Sequence, residues 1–154
     1  MSPVAPGTFA AIFAVLYVAH QVADHWVQTS PQACGKKQPG WSGRLACGRH
    51  VATYTATLTV FLLAATWVFG LSLNLPATAS GMAVTAVTHY LLDRSQNLAR
   101  LAKAVGLAGF FRLGLPRPGH DDNPGLGTGA YALDQSAHLV FLAVTAAIIA
   151  GGAA

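Results

Sequence analysis

Long apolar stretches separated by polar segments dominate this sequence. A membrane-spanning helix needs about 20 mostly apolar residues, and four stretches come close to this length. They cover about residues 7–28, 50–73, 77–93 and 131–150. The third is short and rich in small residues, which favours close helix packing over contact with lipid. The pattern predicts an all-α protein, a four-helix transmembrane bundle that forms a single transmembrane domain over residues 1–154.

Two polar loops connect these stretches, at residues 29–49 and 94–130. In the second loop, four apolar side chains recur near helical spacing opposite two basic ones: Leu98, Leu101, Val105 and Phe110 against Arg100 and Lys103. This pattern predicts an interfacial helix that lies on the bilayer, or alternatively an amphipathic connector packed on the bundle. His120, Asp121 and Asp122 in the same loop are predicted to be solvated turn residues.

The charges predict how the chain is oriented. Hydrophobic residues make up 53% of the sequence and charged residues 9%, against roughly a quarter charged in a soluble domain. All nine Lys and Arg residues fall in the two polar loops, which places both loops in the cytoplasm and both termini outside. We therefore expect a bacterial-type inner (plasma) membrane protein with the lipid bilayer as its partner.

The net charge of +4 does not indicate nucleic acid, because the basic residues lack interleaved exposed aromatics. The first helix lacks a basic segment before it, so we expect it to be retained.

Three pairs of ionisable residues share a spacing of four, which puts each pair on one helix face: His20 and Asp24, His89 and Asp93, Asp134 and His138. The third pair reads in reverse order, but its helix also runs in the opposite direction. All three histidines are therefore predicted at one depth, with the aspartates about 6 Å nearer the cytoplasm. His50, at the start of the second apolar stretch, joins them near the shallower level.

Ionisable groups at membrane depth are costly and usually face the interior of a bundle. Clustered carboxylates repel one another, and a divalent cation relieves this repulsion. Imidazole and carboxylate together suit Zn, Mn or Fe, so we predict one or two divalent transition-metal ions. The candidate ligands are His20, Asp24, His50, His89, Asp93, Asp134 and His138.

The sequence allows more than one role for the individual aspartates and glutamines. Asp24, Asp93 and Asp134 are candidates for catalysis, either as ligands or as general bases. Gln28 and Gln135 are candidate donors that orient a carboxylate. Any single pair could instead be a hydrogen bond that stabilises its helix, and Asp134 resembles a helix N-cap.

Several other polar residues receive a structural interpretation. A zinc set of Cys34, Cys47 and His50 is disfavoured because it lacks a CxxC knuckle. His25 and Trp26 fit an interfacial belt, and Tyr54 fits aromatic packing. Small residues in the third stretch suit a contact within the bundle or between copies, so an oligomer is possible: Ala77, Ala79, Gly81 and Ala83.

The segments HQVADHWVQT, the isolated His50, THYLLDR and LGTGAYALDQSAH occur in this order. They resemble the DUF3307 family of small membrane proteins, whose pattern is H-x-x-x-D-x-x-x-Q, H, H-x-x-x-D and D-Q-x-x-H. The resemblance covers nearly the whole chain. It selects His20, Asp24, Gln28, His50, His89, Asp93, Asp134, Gln135 and His138. That family is distantly similar to predicted inner-membrane metal-dependent hydrolases, so the resemblance implies a metal site but no particular substrate.

The sequence thus favours a metal-dependent hydrolase acting on an ester or phosphoester near the bilayer surface, with a lipid-like or phosphorylated substrate. One alternative is a carrier or sensor that uses the same polar cluster for protons or metal ions. Another is a structural or accessory membrane protein whose polar core fixes helix register.

Overall fold

The described part of the chain is built mainly of helices. The computed structural model describes residues 4–94, 96–115 and 127–152, and no strand occurs within these ranges. The prediction of an all-α fold is therefore confirmed. The helices are α1 (Pro6–Val22), α2 (Ser30–Gly35), α3 (Gly40–Phe69), α4 (Leu75–Asp93), α5 (Gln96–Ala104), α6 (Ala108–Phe111) and α7 (Gly129–Gly151), with a π-helical segment (Ala23–Val27) directly after α1.

The longest helix, α3, begins at Gly40 and not near His50. It ends where Gly70 adopts a left-handed conformation, φ 65°, which glycine tolerates because it has no Cβ. The helix that precedes α3 in the chain, α2, begins with a capping box between Thr29 and Gln32. The segment predicted as a polar loop, 29–49, is thus largely helical. The sequence pattern did not predict these helices, because a helix outside the apolar part of a membrane needs no apolar stretch.

Two exposed tryptophans mark the ends of α3. Trp41 is 74% exposed and Trp67 is 87% exposed, and 26 residues of helix separate them by about 39 Å. This distance approaches the thickness of a bilayer with its headgroups, about 40–45 Å. Tryptophans are enriched at both membrane interfaces, so α3 has the length and the anchors of a membrane-spanning helix.

The four long helices pack in a ring. α1 contacts α3 and α7, and α4 also contacts α3 and α7. Their shared core is apolar, and apolar side chains also cover the outside, as expected where lipid replaces water. Core residues include Ile12, Leu16, Leu58, Leu142 and Ile149, and outward-facing ones include Val60, Leu63, Val87 and Val140.

Within the described ranges, three helices are long and apolar enough to cross a membrane: Pro6–Val27, Gly40–Phe69 and Gly129–Gly151. These helices identify a membrane protein. The fourth long helix, α4, carries three threonines, Ser80 and the ionisable His89 and Asp93, which lower its hydropathy. Its span is therefore a prediction that rests on its place in the ring.

The small residues of α4 serve a contact inside the chain. A Cβ at Gly81 would lie 2.8 Å from Cγ1 of Ile149 on α7, and the Thr145 hydroxyl donates to the Gly81 carbonyl over 3.3 Å. Ala79 and Ala83 face outward. The close approach of α4 and α7 thus depends on Gly81, and an oligomer stays a prediction.

The amphipathic stretch after α4 forms two helices, because Gly106 (φ 79°) interrupts it between α5 and α6. Leu98 and Ala102 are buried, whereas Leu101 and Val105 are more than half exposed. This α5 packs on α4 and α7, and its placement on a bilayer surface stays a prediction. His120, Asp121 and Asp122 lie outside the described residues.

Candidate metal centre

The structure brings all seven predicted histidine and aspartate ligands to one end of the helix ring. Each long helix, or the π-helical segment that extends α1, supplies at least one of them. The four histidines are at most 2% exposed. The aspartate side chains are more variable, at 2% for Asp93, 8% for Asp24 and 28% for Asp134. The cluster is His20, Asp24, His50, His89, Asp93, Asp134 and His138.

Asp24 belongs to the π-helical segment, in which the Gln28 amide donates to the Ala23 carbonyl five residues back, over 2.9 Å. Such wide turns recur at functional sites. The segment keeps Asp24 beside His20, with 3.6 Å between Oδ2 and Nδ1. At Gln28 the backbone becomes extended, so Gln28 does not continue the helical face predicted from its spacing.

Four side-chain atoms face one another at the centre of the cluster. The Nε2 atoms of His50 and His89 lie 2.9 Å apart. Oδ1 of Asp24 lies 3.4 Å from the first and 3.5 Å from the second. Oδ2 of Asp93 lies 3.4 and 3.3 Å from the same two atoms.

Most of these separations match those between neighbouring ligands of one metal ion. With metal–ligand bonds of about 2.0–2.1 Å, the atoms of a tetrahedral set lie about 3.3–3.4 Å apart. Four of the five measured separations are within about 0.2 Å of this value. Only the two Nε2 atoms are closer, at hydrogen-bond distance. A small rotation of either ring would bring this last pair into the same range. We call Asp24, His50, His89 and Asp93 the inner set.

The inner set also contains buried polar atoms without partners. Oδ1 of Asp24 and Oδ2 of Asp93 accept no hydrogen bond within the described part of the chain. A buried carboxylate oxygen is costly unless it is paired, hydrogen-bonded or bound to a metal. The two oxygens that lack a donor are the same two that face the imidazole nitrogens. The donor chemistry therefore fits a cation such as Zn²⁺, which binds histidine nitrogen and aspartate oxygen.

A second group beside the inner set already holds a charged partner. Nε2 of His138 lies 3.9 Å from Oδ1 of Asp93 and 3.6 Å from Oδ2 of Asp134. Lys36 donates to the same Asp93 oxygen over 2.8 Å. The two oxygens of Asp93 thus face different groups, and the Lys36 ammonium balances one of them. A metal ion in this second group would compete with Lys36.

Neighbouring side chains orient the histidines. The Tyr54 ring stacks on His89 with 3.8 Å between centroids, and Tyr54 is only 1% exposed. Nε2 of His20 lies 3.2 Å from Oε1 of Gln135, so the imidazole donates there. Gln135 in turn lies 3.5 Å from Oδ2 of Asp134. Gln135 therefore contacts two members of the cluster, as its position in the sequence predicts.

A polar pocket of about 270 Å³ gives access to the cluster. Its walls include Asp24, Gln28, Lys36, Asp93 and Asp134. Within the described ranges, the amide nitrogen of Gln28 has no hydrogen-bond partner, so Gln28 lies at the pocket without holding a carboxylate. At the rim, His25 lies 2.9 Å from the Tyr131 hydroxyl. This agrees with the sequence interpretation of His25 as a residue outside the ligand set.

The structure bears on two alternative interpretations of the sequence, Asp134 as a helix N-cap and a zinc site that includes the cysteines. The N-cap of α7 is Thr128, whose hydroxyl accepts from the Tyr131 amide, so Asp134 is not the cap. Cys34 is exposed, and the Cys47 thiol lies 3.8 Å from the Tyr90 carbonyl. Neither cysteine joins a potential metal-binding group among the described residues.

Lys36 is the site residue that the sequence pattern does not indicate. It lies 57 positions from Asp93, and in the sequence it is one of several basic residues of a cytoplasmic loop. Its place depends on Arg94, which donates to the carbonyls of Lys36 and Gln38 over 2.8 and 2.9 Å. Gly43 leaves room for this contact, since a Cβ there would overlap the Gln38 carbonyl.

Comparison with known proteins gives one family match. Residues 12–153 match the family described as "Protein of unknown function (DUF3307)". Neither the comparison with curated proteins nor that with solved structures finds a match. The matched residues include the whole cluster and most of every long helix. The chain therefore belongs to the DUF3307 family.

Proposed function

We propose that this protein is a membrane-embedded, metal-dependent hydrolase that cleaves an ester or phosphoester at the bilayer surface. The observation that carries this proposal is the inner set, in which two imidazole nitrogens face two buried carboxylate oxygens that have no hydrogen-bond partner among the described residues. The metal is Zn, Mn or Fe, the ions that accept both imidazole and carboxylate. By the positive-inside rule the site faces the cytoplasm and both termini lie outside.

Hydrolysis needs a ligand set with one open position and a base. His50, His89 and Asp93 form a fully buried triplet that would hold one ion from two helices. A divalent metal bound there supplies a Lewis acid and lowers the pKa of a coordinated water. Catalytic zinc sites use three protein ligands and keep the fourth position open, which leaves Asp24 for another role.

In this proposal Asp24 acts as the general base. Its Oδ1 faces both imidazoles of the triplet, and its side chain also lines the polar pocket. In hydrolysis a water O–H bond and the ester bond break, and an acid and an alcohol form. The carboxylate of Asp24 accepts the proton of the water and can return it to the leaving alcohol.

The pocket is suited to an anionic group. Lys36 and Lys37 line it together with the carboxylates. Ammonium groups stabilise negative charge as it develops on a phosphoryl or carboxyl oxygen. This supports a phosphoester or another ester with an anionic group as substrate.

The carrier interpretation requires a polar path through the other half of the ring. In α3, the hydroxyls of Thr53, Thr57 and Thr59 donate to carbonyls of their own helix. These three are therefore occupied locally, whereas the buried Thr55 hydroxyl has no partner among the described residues. Beyond the threonines, the core side chains of α3, Leu58 and Leu62, are apolar. The hydrolase proposal requires no such path.

The first test is the metal content of the full chain purified in detergent. We expect about one transition-metal ion per chain, since the inner set can hold one. His89→Ala should lose it, because the triplet loses a ligand. The matched control is His25→Ala, which removes a histidine at the pocket rim and should retain the metal. Absence of metal from both the wild-type chain and His25→Ala, after incubation with Zn²⁺, would contradict the proposal.

A further inference from the structure

Three cavities follow one another from the metal centre towards the outer face of α7. The first is the polar pocket described above, about 270 Å³. The second, about 150 Å³, shares Lys37, Tyr131 and Asp134 with it. The third, about 220 Å³, shares Leu98 with the second. Neighbouring cavities have wall residues in common, so they lie side by side, and we call the three together the track.

The polarity of this track changes along its length. At the metal centre its walls carry two lysines and three aspartates. In the middle, Lys37 and Asp134 stand beside Leu98 and Phe111. At the far end the walls are apolar and come from two helices, with Ala102 and Leu101 on α5 and Leu133, Ala137 and Val140 on α7.

The apolar end is open to the surroundings of the helix ring. Leu101 is 55% exposed, Val105 58% and Val140 61%, and all three line this cavity. Val140 lies on a helix long and apolar enough to cross a membrane. In a bilayer such side chains face acyl chains, so a lipid can enter the track sideways without leaving the membrane.

We propose that this track binds a lipid with an anionic, phosphate-bearing headgroup, its acyl chain between α5 and α7 and its headgroup beside Lys36 and Lys37. The proposal rests on the proposed function for the chemistry that follows binding, and it names the substrate class of that same site. Two properties favour a lipid over a soluble phosphate: an apolar cavity adjoins the polar ones, and its open side faces the membrane. Lys37 lines both polar cavities without the Asp93 contact of Lys36, and it favours an anionic headgroup over a zwitterionic one.

A photolabelling experiment tests this proposal without turnover. The full chain in detergent, with its metal removed by a chelator, is incubated with lysophosphatidic acid that carries a diazirine in its acyl chain. After irradiation, the labelled peptides are identified by mass spectrometry. We expect labels within residues 98–107 and 133–140, and we expect excess unlabelled lysophosphatidic acid to suppress them. Lysophosphatidylcholine and glycerol 3-phosphate should compete at least tenfold less well.

Two alanine-to-phenylalanine variants on α7 form the matched comparison. Ala137→Phe fills the apolar cavity and should reduce labelling at least fivefold, whereas Ala147→Phe lies on the exposed face further along α7 and should not change it. Lys37→Gln leaves the helix packing intact and should weaken labelling at least threefold, so it replaces Ala137→Phe if that variant does not fold.

Four results would overturn the lipid assignment: labels spread over α1 and α3, equal labelling of Ala137→Phe and wild type, no effect of Lys37→Gln, or competition by glycerol 3-phosphate as strong as by the lysolipid. The metal content of the same preparations is measured separately. Specific labelling of a chain that binds no metal would contradict the proposed hydrolase and support the lipid track.

Discussion

The two halves of the helix ring differ in the side chains that form their cores. In the half that contains the metal centre, the core consists of imidazoles and carboxylates. In the other half it consists of aliphatic side chains such as Ile12, Leu16, Leu58 and Ile149. Of the nine buried side-chain nitrogen and oxygen atoms that lack a hydrogen-bond partner among the described residues, seven belong to the cluster or to Gln28. The other two are threonine hydroxyls.

The apolar half therefore stabilises the fold, whereas the polar half provides the groups that can bind a metal ion. Unpartnered buried polar atoms each cost about 1–3 kcal/mol, so the polar half does not stabilise the ring without a cation. The apolar half supplies the packing that holds the ligands at fixed depth. Tyr54, stacked on His89 and counted in the apolar core, joins the two halves. Substitutions in one half should therefore change one property and spare the other.

The largest expected effect lies in the apolar half. Leu58→Ala removes a fully buried side chain and should lower the free energy of unfolding by about 2–5 kcal/mol, because a cavity remains. The metal affinity of the folded chain should stay within about twofold. Unfolding by a denaturing detergent measures the first quantity and metal titration the second. Leu63→Ala, an outward-facing control on the same helix, should change neither, and an equal loss of stability there would refute the division into halves.

The next effect lies in the polar half. Asp93→Asn removes a charge from the inner set and should weaken zinc binding by at least about 100-fold, more than the loss of an outer partner, about 10–100-fold. The control is Asp134→Asn, which changes a carboxylate outside the inner set and should weaken binding less than about tenfold. Equal losses in both variants would show that the two groups act as one site.

The smallest effect concerns the number of ions. Lys36 occupies Oδ1 of Asp93, so Lys36→Met should free the second group and strengthen binding of a second Zn²⁺ by about tenfold, a change of about 1.4 kcal/mol. Lys37→Met is the control, since Lys37 lines the pocket without this contact. Zinc titration with a competing chelator measures both ions. One ion of unchanged affinity in Lys36→Met would contradict the role given to Lys36.

Much of this arrangement could be predicted from the sequence. The periodic spacing of His20 with Asp24 and of His89 with Asp93 fixes the face they share, and the reversed order on α7 fixes their depth. Both follow from the rise and periodicity of an α-helix, which do not depend on tertiary structure. The apolar stretches similarly reveal the helices that lipid surrounds.

The remaining features depend on contacts between distant residues. The start of α3 at Gly40 is not visible as an apolar stretch, because its first residues include Arg44 and Arg49. The π-helical turn at Asp24 leaves no sequence signal that a spacing argument detects. The pairing of Lys36 with Asp93 requires α2 to fold back against the ring, which Arg94 stabilises through two carbonyls.

The most direct measurement of the inner set is the visible spectrum of the protein with Co²⁺, which reports coordination geometry. The wild-type chain should bind one equivalent and develop the intense absorption of tetrahedral cobalt. His50→Ala and His89→Ala should each lose this absorption, and His25→Ala should keep it. A weak, octahedral-type spectrum that neither His50→Ala nor His89→Ala alters would contradict a metal centre that binds through these two histidines.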